Sequence, residues 1–211
     1  MHYLVGLMGS RTVVLVGLVL GCTVACSAEQ APPPPAPPIP KIVPPTSASR
    51  VPVMVDRPLP DDCELVVPVE VMNQRLGREL PGEPRLIIGI PEPALGRTGK
   101  IDCYYGLAQG QQLAAAPVVI GLSAYNDEAT ARGRVTDSVS AERQEGGAVS
   151  EVEVGKQKGS LVVTRDERLL LGSLGKTTFV VRVKAGVVPD DQVGPVLAAL
   201  AAQSMTPTED V

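Results

Sequence analysis

Histidine is nearly missing from this chain of 211 residues, and the single one is His2. It stands in the leading apolar segment, which reads as an export signal that is removed. What remains then has no imidazole, so Ser-His-Asp and Cys-His nucleophiles and imidazole-ligated metals drop out. Aromatic residues are scarce too: no Trp, one Phe and four Tyr. Stacking platforms for bases or sugar rings need aromatic faces, which weighs against both ligand classes. Positive charge is also in deficit. From Asp61 to Val211 there are 15 Lys and Arg against 21 Asp and Glu, a balance of −6. No basic stripe stands out, which argues against nucleic acid and against attraction to anionic head groups.

A long hydrophobic run is absent as well. The apolar stretch Thr12–Cys26 has fifteen residues, short of the roughly 20 that span a bilayer core as a helix. Arg11 is the only charged residue before Glu29, and small residues close the stretch. A basic start, an apolar middle and a small-residue break are the parts of a secretory signal. Two cysteines lie at its end. Bacterial lipoprotein signals resemble an aliphatic residue, a spacer, a small residue and then Cys, and both Cys22 and Cys26 come close to that pattern. Parity favours Cys26 as the lipidated residue: were Cys22 the anchor, Cys26 would be left as an odd thiol in an oxidising space. Cys22 is the alternative. Plain secretion after cleavage near Ala28 and an uncleaved signal anchor are the competing readings of the segment.

Beyond the cysteines the chain turns to proline, with twelve among residues 31–60. Proline fixes φ and lacks an N–H, so this tract favours extended polyproline II over packed structure. At about 3.1 Å per residue it can reach on the order of 90 Å. The organisation is therefore a signal segment over residues 1–26, a disordered Pro-rich tether over 27–60, and a single extracytoplasmic domain over 61–211.

The domain reads as α+β. Pro68 opens a helix that carries Val69, Met72 and Leu76 on one face and stops at Gly77. Residues 78–99 look irregular, with a short strand at Leu86-Ile87-Ile88. Residues 101–107 and 118–125 form a strand pair. Asn126-Asp127-Glu128 caps a helix that faces inward through Ala131, Val135 and Val139 and runs to about Arg143. Strands follow at 149–154, 160–164, 169–171 and 177–183, the first two joined by a turn over 155–159. A last helix carries Val193, Val196, Leu197 and Leu200 in register, its regular part starting near Gly194-Pro195. The expectation is an antiparallel sheet of about five to six strands with two to three helices packed on one face.

Cys63 and Cys103 are the only cysteines of this domain, and in an oxidising compartment the default is a disulfide joining them. Other motifs dissolve on inspection. Gly172-Ser-Leu-Gly-Lys-Thr177 fails as a phosphate loop, because position 170 is Leu and a strand follows rather than a helix. Ser173…Lys176 has Ser-x-x-Lys spacing but lies in a hairpin without a Lys-Thr-Gly partner strand. Asp61, Asp62, Glu64, Asp190 and Asp191 lack the ordered spacing of a calcium site and read as solvated acids at element starts. Glu151 and Glu153 share a strand face by simple alternation. Tyr104, Tyr105 and Tyr125 suit a core or rim role.

The anchor, the proline tether, Asp62-Cys63-Glu64-Leu65 before a short helix ending in Leu76-Gly77, and Asp102-Cys103-Tyr104-Tyr105 together resemble actinobacterial cell-envelope lipoproteins of a domain-of-unknown-function family. The Ala, Val, Gly, Pro and Arg bias is similar to that of GC-rich actinobacterial genomes. The resemblance implies a place on the outer face of the cell membrane and brings no activity with it.

The expected function is a lipid-anchored, non-catalytic binding or accessory module of the cell envelope, with no cofactor and no metal. Its partners are the membrane through the anchor and an envelope protein or lipid, with no nucleic acid. Recognition runs through one face of the sheet. The alternative is a lipid- or small-ligand-carrying or sensing domain with an apolar cavity. An enzymatic reading survives only through paired carboxylates or Ser-Lys chemistry.

Overall fold

A computed structural model of the protein describes residues 53–207. The signal segment, Cys22, Cys26 and the tether as far as residue 52 lie outside the described residues. Among the described residues four α-helices and seven strands follow one another, besides two short 3-10 turns: α1 Cys63–Val66, α2 Val69–Leu76, β1 Arg85–Gly89, β2 Arg97–Tyr105, β3 Val118–Tyr125, α3 Glu128–Gln144, β4 Ala148–Val154, β5 Gln157–Val163, β6 Glu167–Leu174, β7 Thr177–Lys184 and α4 Val193–Ser204. The strands form one sheet in the order β1-β2-β3-β7-β6-β5-β4, and every neighbouring pair is antiparallel.

The α+β class is therefore as expected, with two differences. The sheet has seven strands rather than five to six, because β1 pairs fully with β2 from Arg85↔Tyr104 to Gly89↔Lys100. The prolines of residues 78–99 lie around this hairpin and not within its ladder, which is where proline is tolerated, and Gly89 alone of the glycines pairs within it. The second difference concerns the layers, for helices cover both faces. On the first face Ile120, Leu122, Phe179, Val181 and Leu170 meet Met72 of α2 and Leu197 and Leu200 of α4. On the second, Val162, Leu169 and Leu171 meet Val135 and Val139 of α3.

The reason is written in Leu169-Leu170-Leu171. A continuous apolar run buries both faces of its strand, whereas alternation would bury only one. Burial of one such side chain stabilises by about 1.5–3 kcal/mol, so leaving the second face of β5 and β6 in water would cost several of these.

Residues 53–60, counted by composition with the tether, lie against the domain as a strap. The Val55 amide donates to the Met205 carbonyl at 2.9 Å. The Asp56 carboxylate accepts from the Lys176 amide at 3.0 Å and the Thr177 hydroxyl at 2.9 Å. Arg57 donates to the carbonyls of Thr206 and Leu65, while Met54 and Leu59 pack on the core. Two prolines remain in this stretch, at 58 and 60. An extended strap needs few of its own N–H groups, which is why composition read it as tether.

The long helix starts as its sequence dictates. The Asp127 carboxylate accepts from the Thr130 amide at 2.7 Å, filling one of the unpaired donors of the first turn. That hydrogen bond, mainly, holds the Asp127 carboxyl below its ordinary value of 3.8. The native pKa is depressed, so the cap's stabilisation is complete above the ordinary carboxylate range and is lost as pH falls through the native value. Asp127→Asn should accordingly flatten the acid side of the stability profile while leaving neutral pH nearly unchanged. Denaturant titrations between pH 2 and 7 read this out, and an acid limb as steep as that of the wild type would contradict it.

Candidate ligand face

Because side chains alternate along a strand, residues of one parity on β2, β3 and β7 reach the second face together. There β2 contributes Lys100, Asp102 and Tyr104, β3 contributes Val119, Gly121 and Ser123, and β7 contributes Val180 and Arg182. These line an open cleft of about 210 Å³. A neighbouring cleft of about 270 Å³ shares Tyr104, Val119 and Arg182 and adds Glu167 and Lys184. Helix α3 packs on the same face, mainly over β6 and β7 with lesser contact to β3, β4 and β5, and the region around Tyr104 stays open.

The floor of the cleft depends on one glycine. Gly121 lies directly opposite Asp102, and a Cβ there would sit 2.7 Å from Asp102 Oδ1. Its absence lets the carboxylate lie down on the sheet, where it forms an ion pair with Lys100 Nζ at 2.8 Å. Arg182 Nε pairs with Glu167 at 3.2 Å. Lys184 donates to the Ala114 carbonyl and Arg85 to that of Gln111, both at 2.8 Å, tying the loop after β2 to the rim. Exposed ion pairs of this kind contribute only about 0–1 kcal/mol, so they shape the face more than they stabilise it. Over the three clefts of this face Arg85, Lys100, Arg182 and Lys184 outnumber Glu83, Asp102 and Glu167, against a chain whose net charge is −4.

The sequence's own candidates separate. Cys63 and Cys103 form a disulfide with Cα atoms 5.6 Å apart, on the first face and fully inside. Tyr105 is buried beside it. Its hydroxyl lies 3.1 Å from the Cys63 carbonyl and 3.0 Å from that of Val67, and burial pushes the phenol's pKa upward. Tyr104 points the other way, into the cleft, and Tyr125 is buried.

The acids do structural work. Asp62 caps α1 through the Glu64 amide, Glu64 accepts from the Val69 amide at the start of α2, and Asp190 pairs with Arg168. Ser173 and Lys176 sit at the β6–β7 hairpin, whose turn is Gly175-Lys176 with Gly175 at φ 56°, a value glycine accepts without penalty. Glu151 and Glu153 lie on the edge strand β4, where Glu151 pairs with Lys158.

Sequence reasoning missed Lys100, Asp102, Gly121 and Arg182. The spacing of Lys100, Asp102 and Tyr104 was the one signal that could have pointed to a shared face.

No family model matches the chain, and no curated protein matches it. Among solved structures, the chain is similar to the crystal structure of the extracellular domain of PknH from Mycobacterium tuberculosis, at 13% identity and a TM-score of 0.42, over 67% of this chain and 93% of that one.

Proposed function

We propose that this protein is a lipid-anchored, non-catalytic binding module of the cell envelope. Cys26, or in the alternative Cys22, carries the acyl chains, and the domain works on the outer side of the membrane. The export signal, the proline tether and the disulfide of Cys63 with Cys103 support that placement, since such bridges persist in oxidising compartments. Its ligand face is the open half of the sheet around Tyr104, and the partner is an envelope component bearing negative charge.

The observation that carries this reading is the local excess of cations on that face in an otherwise acidic chain. Charge complementarity of this kind selects partners and speeds encounter. Against the alternative of an apolar ligand-carrying cavity stand the clefts themselves, which are open and lined by Lys100, Asp102, Arg182, Glu167 and Arg85. The face offers hydrogen-bonding and ionic contacts, with Tyr104 as its one aromatic surface.

Affinity capture from detergent-solubilised envelope, with the anchor intact, tests the assignment. The double variant Lys100→Glu with Arg182→Glu should weaken recovery of the captured partner by about tenfold or more, equivalent to ~1.4 kcal/mol. Equal recovery by wild type and variant would remove this face from the proposal. Incorporation of labelled palmitate at Cys26 tests the anchor separately.

A further inference from the structure

The two ends of the sheet are finished differently. Among the described residues, β4 closes one end and β1 the other. Strand β4 carries Glu151 and Glu153, with Glu151 paired to Lys158, and α4 packs beside it. Charges and covering elements are how edge strands avoid pairing with another chain. Strand β1 carries one charge, Arg85 at its first position, and none over Leu86-Ile87-Ile88-Gly89, with Ile90 directly after it. Ile87 is 41% exposed, Ile88 68% and Ile90 81%, and all three stand beside a row of outward backbone donors and acceptors.

We propose that β1 is a dimerisation edge, paired antiparallel with β1 of a second copy so that the two sheets run on as one. A row of outward backbone groups is matched in register by another extended segment, which a helix or a globular patch does not supply. Self-pairing about a two-fold axis at Ile87 fits the strand's own sequence. It sets Ile87 against Ile87 on the second face and Leu86 against Ile88 twice on the first. It also sets Arg85 against Gly89, which has no side chain to obstruct the long guanidinium stem, and it keeps the two Arg85 residues apart. Directly opposed apolar pairs are the stabilising unit of a sheet. Pro84 and Pro91 bracket the paired length, and the charged β4 edge stops assembly at two copies. An interface of this isologous type closes on itself.

The test uses the full chain, purified in mild detergent and followed over about three decades of concentration, because dimer population depends on protomer concentration. Wild type should sediment at twice the chain's mass at the upper end. Ile87→Lys places like charges across the axis and should move the midpoint of self-association at least about tenfold upward. Ile87→Cys should give an intermolecular cross-link well above the wild-type background under mild oxidation, and Ser150→Cys on the β4 edge should not. A wild type that stays monomeric throughout overturns the proposal. So does a dimer that survives Ile87→Lys, or cross-linking as strong through Ser150→Cys. Should Ile87→Lys fail to fold, the two cysteine variants decide alone.

Discussion

Replacing Cys63 and Cys103 together by serine lowers the stability of the domain by about 4 kcal/mol, the largest effect expected of any change considered. The bridge spans 40 positions of sequence, and closing a loop of that size removes about 4 kcal/mol of chain entropy from the unfolded state at 25 °C. The loop it closes is specific in what it holds. It fastens α1, four residues long and far below the length at which a helix persists by itself, to the C-terminal part of β2. Tyr105, two residues beyond Cys103, reaches the same helix through the carbonyls of Cys63 and Val67.

With the bridge gone, that phenol becomes the remaining polar tie between α1 and the sheet. For a domain of this size ~1 kcal/mol corresponds to about 2–4 °C in Tm, so the double variant should melt roughly 10 °C below the wild type. Reductant should reproduce the shift in the wild type and have no effect on the variant. Superimposable melting curves would show that the bridge closes no loop that matters to the unfolded chain.

The second large effect comes from adding a single carbon. Gly172 sits opposite Phe179 across β6 and β7. A Cβ at Gly172 would lie 2.7 and 3.0 Å from the ring atoms Cε2 and Cε1, and nearer still to Cζ. Phe179 is fully buried and is the one Phe of the chain, so its ring has no open space to retreat into. Overpacking of close-packed interiors costs about 1–3 kcal/mol, and Gly172→Ala should fall at the upper end, near 3 kcal/mol. Phe179→Leu removes the atom that is struck first.

The combination should therefore cost clearly less than the two single changes added, as expected for residues in contact. Urea unfolding of the three variants measures the coupling. Simple additivity would mean that the ring moves aside freely, and the account of this contact would fail. The same six residues, Gly172 to Thr177, invited comparison with a phosphate loop. Their first glycine instead makes room for an aromatic ring, and Gly175 turns the hairpin.

Much of the local structure was legible before any coordinates. The Asp127 cap and the inward positions Ala131, Val135 and Val139 place α3 because capping chemistry and helical period are local properties. Leu197 and Leu200 mark α4 in the same way. Its first residue, Val193, is buried on the first face, so the helix begins slightly ahead of Gly194-Pro195. The hairpin at 155–159 tightens to the two-residue turn Gly155-Lys156, since Val154 already pairs with Gln157. The strap was not legible. Asp56 and Arg57 look like solvated charges among prolines, and the contacts that tie them to β7 and the end of α4 lie 120 and 149 positions away.

What the linear order of residues determined by itself was chemical capacity and local shape. It set which thiols can pair within residues 61–211, the lack of imidazole beyond His2, the strands, and the caps and turns between them. Such properties depend on neighbours a few positions apart, so a chain read in order displays them. Only the tertiary structure decided that α3 and α4 take opposite faces, that Lys100 and Arg182 line one cleft with Tyr104, and that β1 rather than β4 is left as an apolar edge. Each of these depends on which strand lies next to which. An inward stripe on a helix is the same stripe whichever face of the sheet it covers, and long-range pairing alone tells the two apart.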